Sequence, residues 1–85
     1  MMLSSLLNAL AHPVRLQIVQ ILAKQSDCIC SEVLPVGSFS QSTVLQHLRS
    51  LQRVELIQGQ VDGPNRCYWL NTDMLNTFKR LVKQL

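Results

Sequence analysis

Eighty-five residues, 47% of them hydrophobic, set one small domain with a single core, and a chain this short leaves apolar faces over unless a second copy covers them. Eight Lys and Arg against five Asp and Glu give a formal charge of +3, a mild bias toward an anionic partner. No apolar run reaches the length of a membrane span, no secretory leader pattern stands at the N-terminus, and an odd count of three cysteines argues for a reducing cytoplasm without a membrane partner, not for a disulfide framework.

Leu3, Leu6, Leu7 and Leu10 recur at i, i+3, i+4 and i+7, which predicts a short amphipathic helix. It is too short to stand alone and must pack on something. His12-Pro13 ends it and opens the next helix, with Pro13 at the first position, where its missing N–H is no loss. His12 is expected as a capping or packed residue, not a ligand. Val14, Leu16, Ile18, Val19, Ile21 and Leu22 then cover more than one side of the second helix, as in a central core helix. Residues 25–27 form a polar break. Cys28-Ile29-Cys30 reads as a short extended piece, and residues 31–34 make a turn or two of helix stopped by Pro35 and Gly37. Residues 36–39 are the turn into the next element.

Residues 40–53, SQSTVLQHLRSLQR, are the most informative stretch. Ser40 suits an N-cap, because its hydroxyl accepts from a backbone N–H one turn on. Val44, Leu48 and Leu51 share one helical face. Opposite them lie Ser42, Gln46, Arg49 and Arg53, with Thr43 and His47 on one flank. No Asp or Glu occurs between residues 40 and 54. A donor-rich, acid-free stripe suits phosphates and base edges. Helix, short turn and helix with an outward polar stripe is the helix-turn-helix arrangement.

Residues 56–61 and 66–70 are β-like runs around the turn-rich residues 62–65, hence a hairpin. Gln58, Gln60 and Arg66 near its tip can lie along a DNA backbone. Alternation puts Tyr68 and Leu70 on one face and Cys67 and Trp69 on the other, without saying which is buried. Asn71 or Thr72 caps a last helix, with Asp73 in its first turn and Lys79, Arg80 and Lys83 toward its end, favourable to the helix dipole. Met74, Leu75, Phe78, Leu81, Val82 and Leu85 give it a full apolar stripe. Two terminal helices, each apolar on one side, point to a symmetric homodimer through Leu3, Leu6, Leu7, Leu10, Leu75, Phe78 and Val82.

The expected fold is mainly α with a small β-hairpin. It is a single winged helix-turn-helix over residues 1–85, with about five helices and a two-stranded wing. In this order of elements the chain resembles the ArsR/SmtB family of small winged-helix repressors. ALAHPVRLQIVQIL at 9–22, SQSTVLQHLRSLQRVELI at 40–57 and RCYWLN at 66–71 carry the match. The resemblance implies a homodimer on double-stranded DNA, one residue 40–53 helix of each subunit entering successive major grooves of a near-palindromic operator, with repression relieved by a signal. By position it implies that Gln41, Ser42, Thr43, Gln46 and His47 face bases and nearby phosphates, with Arg49 and Arg66 along the backbone; Ser40 at the start of the same helix and Arg53 on its outer stripe are expected to join them on DNA. The helix wheel instead sets Gln41 at the edge of the apolar face. Leu45 stands where the family usually has a small polar residue. It either touches a thymine methyl or packs.

Relatives of this kind sense soft metals with thiolates near the third helix. Cys28 and Cys30 match a Cys-x-Cys there, but Val33 replaces the third cysteine. Two thiolates leave a trigonal As(III) or tetrahedral Zn²⁺ site incomplete unless Cys67 or a partner residue joins. Regulation without a metal ranks first, thiol oxidation at Cys28 and Cys30 second and a soft metal third, so no cofactor is expected. Oxidation is expected to link subunits or to join Cys28 or Cys30 to Cys67, since neighbours one residue apart make a strained ring. No phosphate loop, paired carboxylates or nucleophile–His motif points to an enzyme. The rival is a winged-helix module that binds protein and not DNA. It calls for an acidic or apolar stripe where Ser42, Gln46, Arg49 and Arg53 stand.

Overall fold

Leucines at helical spacing meet in one core because each helix turns a single stripe inward. The computed structural model describes residues 2–25, 27–37, 39–62 and 65–85. The expected polar break at 25–27, turn at 36–39 and hairpin tip at 62–65 lie partly outside the described residues. Helix α1 spans Met2–Leu10, α2 Pro13–Ala23, α3 Gln41–Arg53 and α4 Thr72–Lys83. Strands are β1 Ile29–Cys30, β2 Ile57–Asp62 and β3 Asn65–Leu70. Leu6 of α1, Ile18 and Leu22 of α2, Leu48 and Leu51 of α3, and Leu56 and Ile57 at the start of the wing are fully enclosed. Each such side chain contributes roughly 1.5–3 kcal/mol of burial free energy.

Two expectations are corrected. Among the described residues there are four α-helices, not five, because residues 31–33 close only a 3-10 turn, Ser31–Val33, before Leu34 turns extended ahead of Pro35. The wing also gains a third strand. β1 pairs antiparallel with β3, so the sheet order is β1-β3-β2 and β3 is central. The ladder between β2 and β3 runs from Ile57 opposite Leu70 to Asp62 opposite Asn65. Tyr68 is the buried side of that sheet. Trp69 is half-exposed, and its indole N–H donates to Oε1 of Gln58 across the strands at 3.0 Å.

The joints are defined by hydrogen bonds. α3 ends in a paired cap, Leu56 N–H to the Leu51 carbonyl at 3.1 Å and Glu55 N–H to the Gln52 carbonyl at 2.9 Å. Glu55 takes the left-handed conformation, φ 64°, that this cap requires. Asn71 then fastens α4 to the same corner. Its side chain donates to the Glu55 carbonyl at 2.9 Å and accepts from Met74 N–H at 3.3 Å. Its own N–H reaches the Leu56 carbonyl at 2.9 Å.

α1 and α4 pack against each other. Leu6 is only 1% exposed in its own protomer, so it leaves the expected dimer interface; of the two leucines three and four residues beyond Leu3, Leu7 faces out. α4 has no fully buried residue, although Met74, Leu75, Phe78 and Leu81 lean on the core. Among the described residues no single helix is long and apolar enough to cross a membrane.

Candidate nucleic-acid interface

Ser40 caps α3 as its position demands, its hydroxyl accepting from Thr43 N–H at 3.3 Å. The same oxygen lies 2.9 Å from the Thr43 hydroxyl and 3.2 Å from that of Ser42. Three hydroxyls thus cluster at the positive end of the helix, where the dipole favours a phosphate. Val44, Leu48 and Leu51 are buried, which turns Ser42, Gln46, Arg49 and Arg53 outward and leaves all four exposed. No acidic side chain lies on the helix. Leu45 is half-buried and leans on the core, so it packs.

Gln41 and His47 also make contacts within the protein. The Gln41 amide donates to the hydroxyl of Ser31, a buried serine, at 2.7 Å, and so ties the start of α3 to the 3-10 turn. His47 is half-buried. Its Nδ1 accepts from Arg15 Nε of α2 at 3.2 Å, and its ring lies 4.5 Å from that of His12. Both contacts draw His47 toward α2. Desolvation first, then the charges of His12 and Arg15, lower its pKa below the usual histidine value. His12 is packed, not capping: it makes no side-chain cap bond, and its Nδ1 is buried without a partner among the described residues.

Arg49 of α3 and Arg66 of β3 line one notch between helix and wing, with Gln52, Gly59, Gln60, Val61 and Tyr68, enclosing about 250 Å³. Both arginines are exposed. Two exposed guanidiniums on neighbouring elements suit phosphates. Gly59 makes the notch possible. A Cβ on it would stand 2.8 Å from both the Tyr68 ring and Gln52 Nε2. A glycine within a strand is itself a mark of close approach, the one signal that sequence reasoning left unused here.

Cys28 and Cys67 are joined as a disulfide, with Cα atoms 5.4 Å apart and a separation of 39 positions in sequence. Cys30, opposite Cys67 in the ladder, is a free and exposed thiol. Among the described residues no group of three His, Cys, Asp or Glu side chains is placed to hold a metal.

Residues 12–58, more than half of the chain, match the family model of bacterial regulatory proteins of the arsR family. Over 74 residues the chain is 35% identical to the arsenical resistance operon repressor of Staphylococcus xylosus, covering 87% of this chain and 70% of that protein. It superposes on the crystal structure of a possible transcriptional regulator for arsenical resistance with a TM-score of 0.80 at 29% identity, over 92% of this chain and 80% of that one. A homodimeric winged helix-turn-helix DNA-binding domain from Mycobacterium bovis shares the fold, with a TM-score of 0.76 at 22% identity over 94% and 74% of the two chains. The chain belongs to the arsR family of bacterial regulatory proteins, as a winged helix-turn-helix DNA-binding transcriptional regulator.

Proposed function

We propose that two copies of this chain form a homodimeric repressor on a near-palindromic operator. The observation that carries it is the exposed, acid-free outer face of α3, continued across the notch by Arg66. Ser42 and Gln46 read base edges in the major groove, the Ser40 and Thr43 hydroxyls meet a phosphate at the helix start, and Arg49 and Arg66 hold the backbone. Gln41 and His47 act through the scaffold. The dimer is supported by the apolar residues that α1 and α4 leave uncovered, Leu7 and Val82 in the open with Leu3, Leu10, Leu75 and Phe78 half-buried beside them. The Mycobacterium bovis relative of the same fold is itself described as homodimeric. A twofold axis between such faces sets the two α3 helices about 34–36 Å apart, one turn of duplex.

The test is selection of bound sequences from random DNA, followed by titration over a range of salt. A symmetric site and a steep fall of affinity with salt are expected. Arg49→Ala should weaken the operator about tenfold and lower the salt slope by about one while the dimer stays folded. Binding without a salt slope, or to no DNA, returns the chain to the protein-interaction reading.

Thiol oxidation is the regulation that the geometry favours, since the Cα separation of Cys28 and Cys67 suits a disulfide. Two thiols close to one disulfide, and their two electrons and two protons pass to a peroxide. The bond clips the segment ahead of Ser31 to the strand that carries Arg66. Ser31 in turn holds Gln41, so the clip spans both DNA-facing elements. Operator affinity should differ between reduced and peroxide-treated protein, and Cys67→Ser should abolish the difference. An unchanged response in that variant removes this clip from the mechanism.

A further inference from the structure

We propose that a second groove, between α1 and the C-terminal half of α3, binds a small free anion of the phosphate or carboxylate class. The groove encloses about 340 Å³ and is lined by Ser5, Asn8, Ala9, Arg15, Ser50, Arg53 and Val54. That size lies within the usual range for small-molecule sites, about 300–1,000 Å³. Two arginines are among its lining residues and no carboxylate is. Arg15 is half-buried, and its Nε is held by His47, which fixes the direction of the fork. Among the described residues neither arginine makes an ion pair. Asn8 adds amide donors. Glu55 borders the adjoining groove, which shares Arg53 with this one, and sets a limit on how negative a ligand the site accepts. A partly desolvated cation without a counter-ion is unfavourable, and an anion held by two guanidiniums relieves that through charge-assisted hydrogen bonds.

Arg53 also ends the outer stripe of α3, but two placements set the groove apart from the start of that helix and from the apolar face of α1. Gln41 and Arg53 are the two ends of α3, about 18 Å apart at the helical rise, and helix-turn-helix reading is concentrated at the first of them. On α1, at about 100° per residue, Ser5 and Asn8 point away from Leu3, Leu7 and Leu10, so a partner subunit on those leucines leaves the groove open. An anion here touches the dimer helix, α2 and the reading helix at once. Any effect on operator binding rests on the repressor reading, whereas anion binding does not.

The experiment is a titration of the folded dimer with inorganic phosphate and with pyrophosphate at fixed ionic strength, followed by backbone amide resonances. Saturable shifts are expected at Asn8, Ser50 and Arg53, with affinity reduced about tenfold in Arg53→Gln, the equivalent of one charge-assisted contact. Arg15→Gln should weaken it as well. Shifts that follow chloride equally, or that persist unchanged in both variants, overturn the site. A second arm repeats the titration on the operator complex. Pyrophosphate binding with unchanged affinity supports a free ligand, and one-for-one displacement by operator DNA overturns it in favour of backbone phosphates.

Discussion

His47 faces two ways chemically: as a neutral ring it accepts from Arg15, and as a cation it repels the same guanidinium. A histidine whose folded pKa lies below its unfolded one binds fewer protons folded than unfolded. Its contribution to stability is therefore fully present above the ordinary histidine value near 6.5 and is lost as pH falls from there through the lowered folded value. Urea midpoints should drop between pH 7.5 and 5.5 in the natural chain and drop less in His47→Gln, whose amide oxygen can still accept from Arg15. Equal drops would mean that other groups carry the pH dependence. Glu55 poses a different problem. A non-glycine residue in the left-handed region costs roughly 1–2 kcal/mol, and the helix end beside it disfavours an acid. Glu55→Gly removes both, and the greater freedom of unfolded glycine returns roughly 0.5–1 kcal/mol. A net gain near 1 kcal/mol is expected, read as a thermal midpoint about 4–8 °C higher for a domain of this size. A lower midpoint would assign the Glu55 side chain a stabilising contact.

The wing is held at its angle by an absence. Tyr68 lies buried over Gly59, its partner in the ladder, and Gln52 of α3 approaches from the other side. A methyl at Gly59 must displace a buried ring, so Gly59→Ala should lose roughly 1–3 kcal/mol in chemical unfolding. It should also weaken operator binding at temperatures where it remains folded, because Arg66 moves relative to Arg49. Full operator affinity in a folded Gly59→Ala would show that the notch tolerates a shifted wing. Much of this architecture is legible in the leucines and caps. Val44, Leu48 and Leu51 define the inner face of α3, Ser40 its start, and Asn71 the start of α4. What is not legible depends on partners that one element cannot name. Arg15 and His47 are 32 residues apart, and both look like ordinary polar positions on their own helices. The place of β1, and the choice of Cys28 over Cys30 as the partner of Cys67, depend on a ladder between distant segments. Leu6 and Leu7 lie on adjacent sides of the same apolar stripe, and only the crossing of α1 over its neighbours decides which one is sealed.

At the scale of the whole molecule, the single chain leaves an apolar helix face uncovered. It measures 41 × 23 × 21 Å, and α4, with a continuous apolar stripe, buries none of its side chains fully. A helix of that kind is stable when the other half of its stripe meets a second surface. If that surface is the same helix of a second copy, a charge placed on the stripe must separate the subunits. Phe78→Asp tests this, but Phe78 also leans on its own core. Val82→Glu is the cleaner variant, since Val82 is 38% exposed and belongs to no core contact. Sedimentation equilibrium at micromolar protein should show Val82→Glu as a folded monomer with unchanged helical content. Its operator affinity should fall by about two orders of magnitude or more, because the two half-sites are then bound independently. A Val82→Glu dimer with full operator affinity would move the twofold axis off α4 and require a different pair of faces to set the spacing of the reading helices.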